Sequence, residues 1–294
     1  MKWVYQCFGI SKQAFYKRLS TFRASNLQEQ VILDLVENIR KEMPKTGGLK
    51  LYKAIKPVLV QKNIKIGRDR FYQFLRRHRL LVPRTKRAHI TTDSKHHFYK
   101  YPNLIKNFIP TAAEQLWVSD ITYIKIEGAN AYLALVTDAY SKKIMGYKID
   151  DHMKTSLCID ALKMAIHQRK YSHQKLIHHS DRGLQYCNPN YTGFAEINGI
   201  QISMTQQYDP YENAVAERIN GILKQEFGLG KTIVNLKLAK KMVKKAVLIY
   251  NSKRMHYSLE FKTPDFAHIY QNHSYKQYRN CLLYTSPSPR DRTR

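Results

Sequence analysis

The amino-terminal third of the chain has the apolar spacing of α-helices. Apolar residues recur three and four positions apart in residues 31–39, and a Gly-Gly pair follows this segment. Residues 51–59 and 68–80 have the same spacing. Ahead of them, residues 9–19 have the pattern of the turn and second helix of a helix-turn-helix unit, with Ser11 as N-cap. The pattern therefore predicts an all-α amino-terminal region.

The pattern changes to that of β-strands near residue 115. Three segments rich in β-branched and aromatic residues predict antiparallel strands at 116–124, 132–136 and 144–149. Helices and short strands then alternate, in the order helix 156–169, strand 175–178, helix 191–197, strand 201–204 and helix 213–227. This order predicts an α/β core.

The composition is that of a folded protein. Of the 294 residues, 43% are apolar and 24% are charged, which suffices to bury substantial cores. The chain has no run of 18 apolar residues and no secretory signal, so we expect a cytoplasmic protein with no membrane partner. The four cysteines form no Cys-x-x-Cys pair, and neither a zinc knuckle nor a disulfide framework is predicted.

The charge is unevenly distributed along the chain. Fifty Lys and Arg against 22 Asp and Glu give a net charge of +28, which indicates a polyanionic partner. Residues 1–110 carry +18, residues 111–230 carry −1 and residues 231–294 carry +11. Two basic flanks around a neutral middle are expected of an enzyme that holds a polyanion with its flanks and keeps carboxylates at its centre.

The amino-terminal flank contains candidate DNA contacts. In a helix-turn-helix at residues 9–19, the side chains expected to face DNA include Lys12, Gln13 and Lys17. A helical bundle without a DNA function has the same pattern. Residues 83–110 contain three prolines and little apolar periodicity, which predicts a basic linker whose cations include Arg84, Lys86 and Arg87.

Three acidic residues of the neutral middle occupy unusual places. Asp120 interrupts an uncharged strand, Asp181 follows the end of another strand, and Glu217 lies on the last helix of the core. An unpaired carboxylate in or beside a buried strand is costly unless a cation or hydrogen bonds meet it. Phosphodiester attack can use two divalent cations held by such carboxylates, and Mg²⁺ prefers oxygen ligands. The alternative is that these are ordinary structural or surface residues.

The predicted last helix adds a cation beside these carboxylates. Lys224 lies two helical turns after Glu217 and so shares its face, and Asn213 and Asn220 lie close to the same stripe. A solvated helix face with an ordinary Glu and Lys remains the alternative at this point.

Three local motifs resemble those of bacterial insertion-sequence transposases of the second-reading-frame type, which have a retroviral-integrase-like core. They are Trp117-Val118-Ser119-Asp120-Ile121-Thr122-Tyr123, His179-Ser180-Asp181-Arg182-Gly183-Leu184-Gln185-Tyr186, and Asn213-Ala214-Val215-Ala216-Glu217 with Leu223-Lys224. Thirty-five residues separate Asp181 from Glu217, the spacing that names the D,D(35)E family. Glu212 departs from the family's usual Asp, a change that preserves charge.

The resemblance extends over most of the chain and implies its organisation. It implies a helix-turn-helix DNA-binding region (1–82), a basic linker (83–110), a ribonuclease H-like integrase core (111–230) and a basic helical extension (231–280). The implied core is a mixed five-stranded sheet flanked by helices. Residues 281–294 match nothing in the family and resemble translated sequencing-adapter read-through, so we expect a non-native tail there.

The resemblance also implies a function and a set of site residues. Asp120, Asp181 and Glu217 would bind two Mg²⁺ ions, with Mn²⁺ as a substitute, and would act in nicking DNA at the element ends and joining a 3′-hydroxyl to target DNA. Further DNA-binding residues would be Lys224, Arg182, Asn213, Arg218, Arg254 and His256. The implied partners are double-stranded DNA, further copies of the chain in a synaptic complex and the upstream-frame protein of the element, at the bacterial nucleoid.

Two other functions remain open on the sequence. The chain could be a non-catalytic DNA-binding regulator or a decayed transposase, in which the acidic residues are structural. It could also be a nuclease with a ribonuclease H fold, which explains the carboxylates but not the carboxy-terminal match to transposases.

Overall fold

The structure, a computed structural model, describes residue 7 and residues 9–83, 97–206 and 213–271. The chain forms two compact units, residues 1–84 and residues 85–294. Each unit has its own core, and the candidate carboxylates all belong to the second unit.

The first unit is helical, as predicted. Its helices are α1 (Lys12–Glu42), α2 (Gly48–Gln61) and α3 (Arg68–Arg77). Ser11 is the N-cap of α1, and its Oγ accepts a hydrogen bond from the backbone N of Ala14 at 3.1 Å. The two amino-terminal helical segments predicted from the sequence form one helix of 31 residues, because no Gly or Pro interrupts them.

The core of the first unit lies among its three helices. Its buried side chains include Val36 of α1, Leu51 and Ile55 of α2, and Phe71 and Leu75 of α3. Among the side chains of α1 that the structure describes, none before Ile32 is buried. Packing against α2 and α3 therefore stabilises only the second half of α1.

The second unit is built on a five-stranded mixed sheet. Its strands are β1 (Leu116–Ile126), β2 (Ala129–Asp138), β3 (Ile144–Asp150), β4 (Leu176–Ser180) and β5 (Ile200–Met204), in the spatial order β3-β2-β1-β4-β5. The first three are antiparallel, whereas β4 is parallel to β1 and β5 is parallel to β4. This is the ribonuclease H-like architecture, and the predicted fold class is confirmed.

Helices cover both faces of this sheet. The helices α4 (Thr155–His167), α5 (Leu184–Cys187) and α6 (Pro189–Ile197) share one core with alternate residues of β2 such as Ala134 and Val136. The neighbours Leu133 and Leu135 are buried outside that core, where α7 (Ala214–Glu226) and α8 (Leu236–Ser252) contact the sheet. Successive strand residues face opposite sides, so the alternating pattern places the helices in two layers.

Part of the predicted linker is ordered structure. Residues 97–105, here called the lead-in segment, run beside β5, where the backbone N of Met204 donates to the carbonyl of Pro102. The hydroxyl of Tyr101 donates to Glu196 at 2.8 Å, and Phe98 packs against the core. The sequence pattern did not predict these contacts, because each is made by a single aromatic residue in a segment with little apolar periodicity. Residues 84–96 lie outside the described residues.

The carboxy-terminal part of the second unit packs against the residues that precede β1. After α8 come a short 3₁₀ helix (Tyr257–Leu259) and α9 (Pro264–Tyr270). His268 of α9 is fully buried, with Nε2 at 3.1 Å from Glu114 Oε1 and Nδ1 at 3.0 Å from Ser141 Oγ. Glu114 also accepts from the backbone N of Lys170 and of Tyr171. These buried polar groups satisfy one another and dock α9.

Two of the predicted absences can be examined in the described residues. No helix of this part of the chain is long and apolar enough to cross a membrane. The cysteines that it contains, Cys7, Cys158 and Cys187, are free thiols.

Candidate active site

Asp181 directly follows β4, and Asp120 lies within β1 just beyond the part of that strand that pairs with β4. The ladder between β1 and β4 pairs Leu116 with Ile177 and continues to Val118 with His179. Continuing this register by two residues sets Asp120 beside Asp181. The ladder ends before that point, so the two carboxylates lie where β1 and β4 cease to be paired with each other. This is the carboxyl end of β4, the side of an α/β sheet on which ligands bind.

The charges of the other two candidate carboxylates act on Asp120. Burial, the charge of Asp181 and the charge of Glu217 together raise the pKa of Asp120 to about 7, against a hydrogen bond from Asn220. Burial also raises the pKa of Asp181, against a hydrogen bond from the backbone N of Gly183 at 3.0 Å. The pKa of Glu217, in the first turn of α7, is raised by partial burial. Without a cation, Asp120 therefore retains its proton near neutral pH.

The donor set fits a hard divalent cation. Asp120, Asp181 and Glu217 offer carboxylate oxygens, which Mg²⁺ prefers, and their mutual repulsion is relieved by positive charge. Within the described residues, no group of three His, Cys, Asp or Glu side chains is arranged so that it could hold a metal ion. The three carboxylates are thus electrostatic neighbours but do not form a closed chelate.

Two asparagines of α7 fasten this helix to β1. The Nδ2 of Asn213 donates to the backbone carbonyl of Ser119 at 3.0 Å, and the Nδ2 of Asn220 donates to Asp120 Oδ2 at 2.8 Å. Both asparagines are buried. Asn213, predicted to bind DNA, anchors the start of α7 to β1 through this hydrogen bond. The helix that carries Glu217 is thereby held beside Asp120.

Lys224 lies on the same helix and near the same carboxylates. Burial lowers its pKa, whereas the charge of Asp120 raises it. Its Nζ lies 4.3 Å from the ring centroid of Tyr123 on β1, a cation–π contact that positions the ammonium group. Arg218 of α7 is exposed, and Arg182 is half-buried directly after Asp181. Arg182 and Arg218 thus directly follow Asp181 and Glu217 in the sequence, and Lys224 lies on the same helix as Glu217.

Arg254 and His256, predicted to contact DNA, are buried in the structure. The guanidinium of Arg254 makes two hydrogen bonds with Glu226 at 2.6 and 2.8 Å, and its Nη1 lies 2.8 Å from His256 Nε2. Arg254 is only 2% exposed and His256 only 7%. This bidentate pair joins the turn after α8 to the end of α7, so a structural role replaces the predicted contact.

The remaining predicted DNA-binding residues lie in or beside the first unit. Lys12, Gln13 and Lys17 are exposed near the start of α1. Arg84, Lys86 and Arg87 lie outside the described residues.

A buried histidine beneath the carboxylates was missed by the sequence analysis. His178 of β4 is fully buried, and its Nε2 lies 2.7 Å from Ser119 Oγ and 3.1 Å from the hydroxyl of Tyr191. Burial lowers its pKa to about 4, so the ring is neutral at physiological pH. His178 thus links β4 to β1 through Ser119, the residue before Asp120, and to α6 through Tyr191. No sequence pattern marked it, because its partners come from distant segments.

The sheet order defines a core of the ribonuclease H-like class. Two family models described as "Integrase core domain" match residues 110–210 and 198–264. The chain is 32% identical over 256 residues to the "Insertion element IS600 uncharacterized 31 kDa protein" of Shigella sonnei, covering 85% of this chain and 92% of that protein. The chain belongs to the bacterial insertion-sequence transposases with an integrase core.

Other relatives and solved structures match shorter parts. The "Putative transposase for insertion sequence element IS986/IS6110" of Mycobacterium tuberculosis is 39% identical over 125 residues, 41% of this chain and 45% of that protein. "Transposase InsF for insertion sequence IS3A" of Escherichia coli K12 is 31% identical over 140 residues, 48% of each chain. The HTLV-2 integrase catalytic core domain in complex with magnesium has a TM-score of 0.43 at 21% identity, covering 53% of this chain and 97% of that chain.

Proposed function

We propose that this chain is a DNA transposase that nicks the ends of an insertion sequence and joins them to target DNA. The observation that carries the proposal is the electrostatic effect of Asp181, just after β4, and Glu217, in the first turn of α7, on Asp120 of β1. Carboxylates that raise the proton affinity of a buried neighbour are unfavourable in a resting protein, and they serve a purpose when cations bind them. Membership of the transposase family supports the same function.

The proposed reaction has two phosphoryl transfers. In the first, a water oxygen loses a proton and bonds to the phosphorus at the element end while the P–O3′ bond breaks, so the departing oxygen takes a proton and becomes a free 3′-hydroxyl. In the second, that 3′-hydroxyl loses its proton as its oxygen bonds to a target phosphorus, a target P–O3′ bond breaks, and the departing target oxygen takes a proton. Each step forms one P–O bond and breaks one, and no covalent bond to the protein forms.

The side chains have separate tasks in this reaction. Asp120, Asp181 and Glu217 would hold two Mg²⁺ ions, or Mn²⁺ in their place, which supply charge neutralisation and nucleophile activation when bound. Asn220 orients the Asp120 carboxylate through its 2.8 Å hydrogen bond. Lys224, whose ammonium group lies over the ring of Tyr123, would contact a DNA phosphate.

The partners follow from the reaction and from the charge. Both steps act on double-stranded DNA, and joining two element ends requires at least two copies of the chain. We assign sequence-independent DNA contacts to Lys12, Gln13 and Lys17 and to the basic linker, and the upstream-frame protein of the element as a further partner.

A strand-transfer assay tests the proposed function. Oligonucleotide duplexes carrying the element ends are incubated with a target plasmid and Mg²⁺, and joined products are counted. We expect Asp181→Asn to reduce product to background, because a metal ligand is lost. Asp160→Asn is the matched control, since Asp160 is an α4 surface residue paired with Lys148 at 2.9 Å. Equal yields from Asp181→Asn and wild-type protein would refute the catalytic role.

A further inference from the structure

The helix α8 has one strongly basic face. It contains five lysines and no acidic residue in 17 positions. Lys237, Lys241 and Lys244 follow one another at intervals of four and three residues, so they form one row along the helix, with Lys240 and Lys245 on either side. All five are exposed. We call this surface the lysine row.

Most of the lysine row carries uncompensated charge. Lys240 pairs with Asp150 of β3 at 3.1 Å. In the part of the chain that the structure describes, no acidic side chain forms an ion pair with Lys237, Lys241, Lys244 or Lys245. An ordinary solvated helix face usually mixes both signs, because like charges one turn apart repel. Four adjacent cations without partners fit a ligand that brings a regular series of negative charges.

The helix that carries the lysine row is rigidly mounted. The side chain of Asn251 bonds to both the backbone N and the carbonyl of Ile144 at 3.0 and 2.9 Å, and the hydroxyl of Tyr250 donates to the carbonyl of Lys142 at 2.8 Å. The pair of Arg254 with Glu226 joins the following turn to α7. Because the helix backbone is fixed, binding a stiff polyanion does not require the helix itself to be ordered.

We infer that the lysine row binds the phosphate backbone of double-stranded DNA. The inference rests on the proposed function for the role of that DNA, but not for the binding itself. The row spans seven residues, about 10 Å at the α-helical rise, which is several phosphate spacings along a duplex. Backbone contacts position DNA without reading its sequence. The basic carboxy-terminal charge thus acts through α8, and not through the buried Arg254 and His256.

The test is the salt dependence of DNA binding by the full chain. The test variant replaces Lys237, Lys241 and Lys244 with Gln, which removes three charges and keeps helix propensity. The control variant makes the same change at exposed lysines elsewhere in the second unit, Lys154, Lys170 and Lys175. The probe is a duplex of arbitrary sequence, about 40 base pairs long, and affinity is measured between about 0.05 and 0.3 M salt.

We expect the test variant to flatten the slope of log affinity against log salt by about 2.7, which is 0.9 for each of three phosphates. At about 0.1 M salt this corresponds to a loss of up to about 500-fold, and the control should stay within about threefold of wild type. Equal slopes for the test and control variants would overturn the inference. A change in sedimentation without a change in slope would also overturn it, since it would assign the row to a second copy of the chain.

The outcome is separable from that of the proposed function. With DNA in excess of its dissociation constant, the test variant should still give Mg²⁺-dependent joined product, because none of its lysines lies among the carboxylates. If wild-type protein gives no joined product but the slopes differ as expected, the proposed function fails and the DNA-binding surface stands. If the test variant joins DNA normally and its slope of log affinity against log salt equals that of wild type, only the assignment of DNA binding to the lysine row is refuted.

Discussion

Replacing Asp120 with Asn should change how the stability of the metal-free protein depends on pH. Burial, together with the charges of Asp181 and Glu217, raises the pKa of Asp120 from 3.8 to about 7. A carboxyl group with a raised folded-state pKa contributes its full stabilisation below the unfolded pKa, and that contribution is lost as pH rises through the folded pKa. The free energy of unfolding should therefore fall between about pH 4 and pH 7.

The size of this effect follows from the shift. A displacement of about 3 pKa units corresponds to about 4 kcal/mol at 1.36 kcal/mol per unit, of which about 3 kcal/mol falls between pH 5 and pH 8. This is a large share of the stability of a typical domain. The amide that the substitution introduces does not titrate, and its oxygen can still accept the hydrogen bond from Asn220. The variant should therefore be more stable than wild type at pH 8, by up to about 4 kcal/mol.

Denaturant unfolding in EDTA at pH 5 and pH 8 measures this difference. Asp160→Asn serves as the control, because it removes one exposed ion pair and should change stability by less than about 1 kcal/mol at either pH. Adding Mg²⁺ at pH 8 should stabilise wild type and not Asp120→Asn. If Asp120→Asn and Asp160→Asn have the same pH profile, the carboxylates are not coupled and the reasoning fails.

Three further substitutions test the supports of the site. Asn220→Ala should weaken Mg²⁺ binding by about 10- to 100-fold, measured by titration calorimetry, because Asp120 loses the amide that orients it, and unchanged affinity would contradict this. Arg254→Ala should cost about 3–5 kcal/mol in urea unfolding by removing the buried guanidinium that pairs with Glu226, whereas a cost under about 1 kcal/mol would mean that the pair is not structural. Gly146→Ala should cost at least about 2 kcal/mol in thermal unfolding, because the new Cβ would lie 2.1 Å from a carbonyl oxygen of α4; a neutral result would show that α4 can shift.

The sheet and its two helical layers could be predicted because each element has its own periodicity. The β-branched and aromatic residues of 132–136 and the helical spacing of 213–227 are local patterns, and the structure has a strand and a helix there. The N-cap Ser11 is likewise a local signal, and its hydrogen bond is present. Local patterns also singled out the three carboxylates as candidates, since each is an acidic residue in an unusual setting.

The contacts between distant segments could not be predicted. The residue type of Arg254 suggested a phosphate contact, but its partner Glu226 lies 28 positions earlier, and nothing in the local pattern pairs them. Asn213 and His178 are polar residues among both polar and apolar neighbours in the sequence. Only the structure shows that both contact Ser119, Asn213 at its backbone carbonyl and His178 at its hydroxyl. Polar side chains are ambiguous in sequence because burial decides whether they bind a ligand or one another.

The contact between Glu114 and His268 has a consequence for how the protein is made. The two residues are 154 positions apart, and Glu114 lies just before the first strand of the sheet. At a synthesis rate of roughly 10 residues per second, the strand leaves the ribosome about 15 seconds before α9 can reach it. Until then a buried carboxylate lacks its imidazole partner. The second unit thus completes its folding only when almost all of the described chain has been translated, which couples assembly of the catalytic core to an intact reading frame.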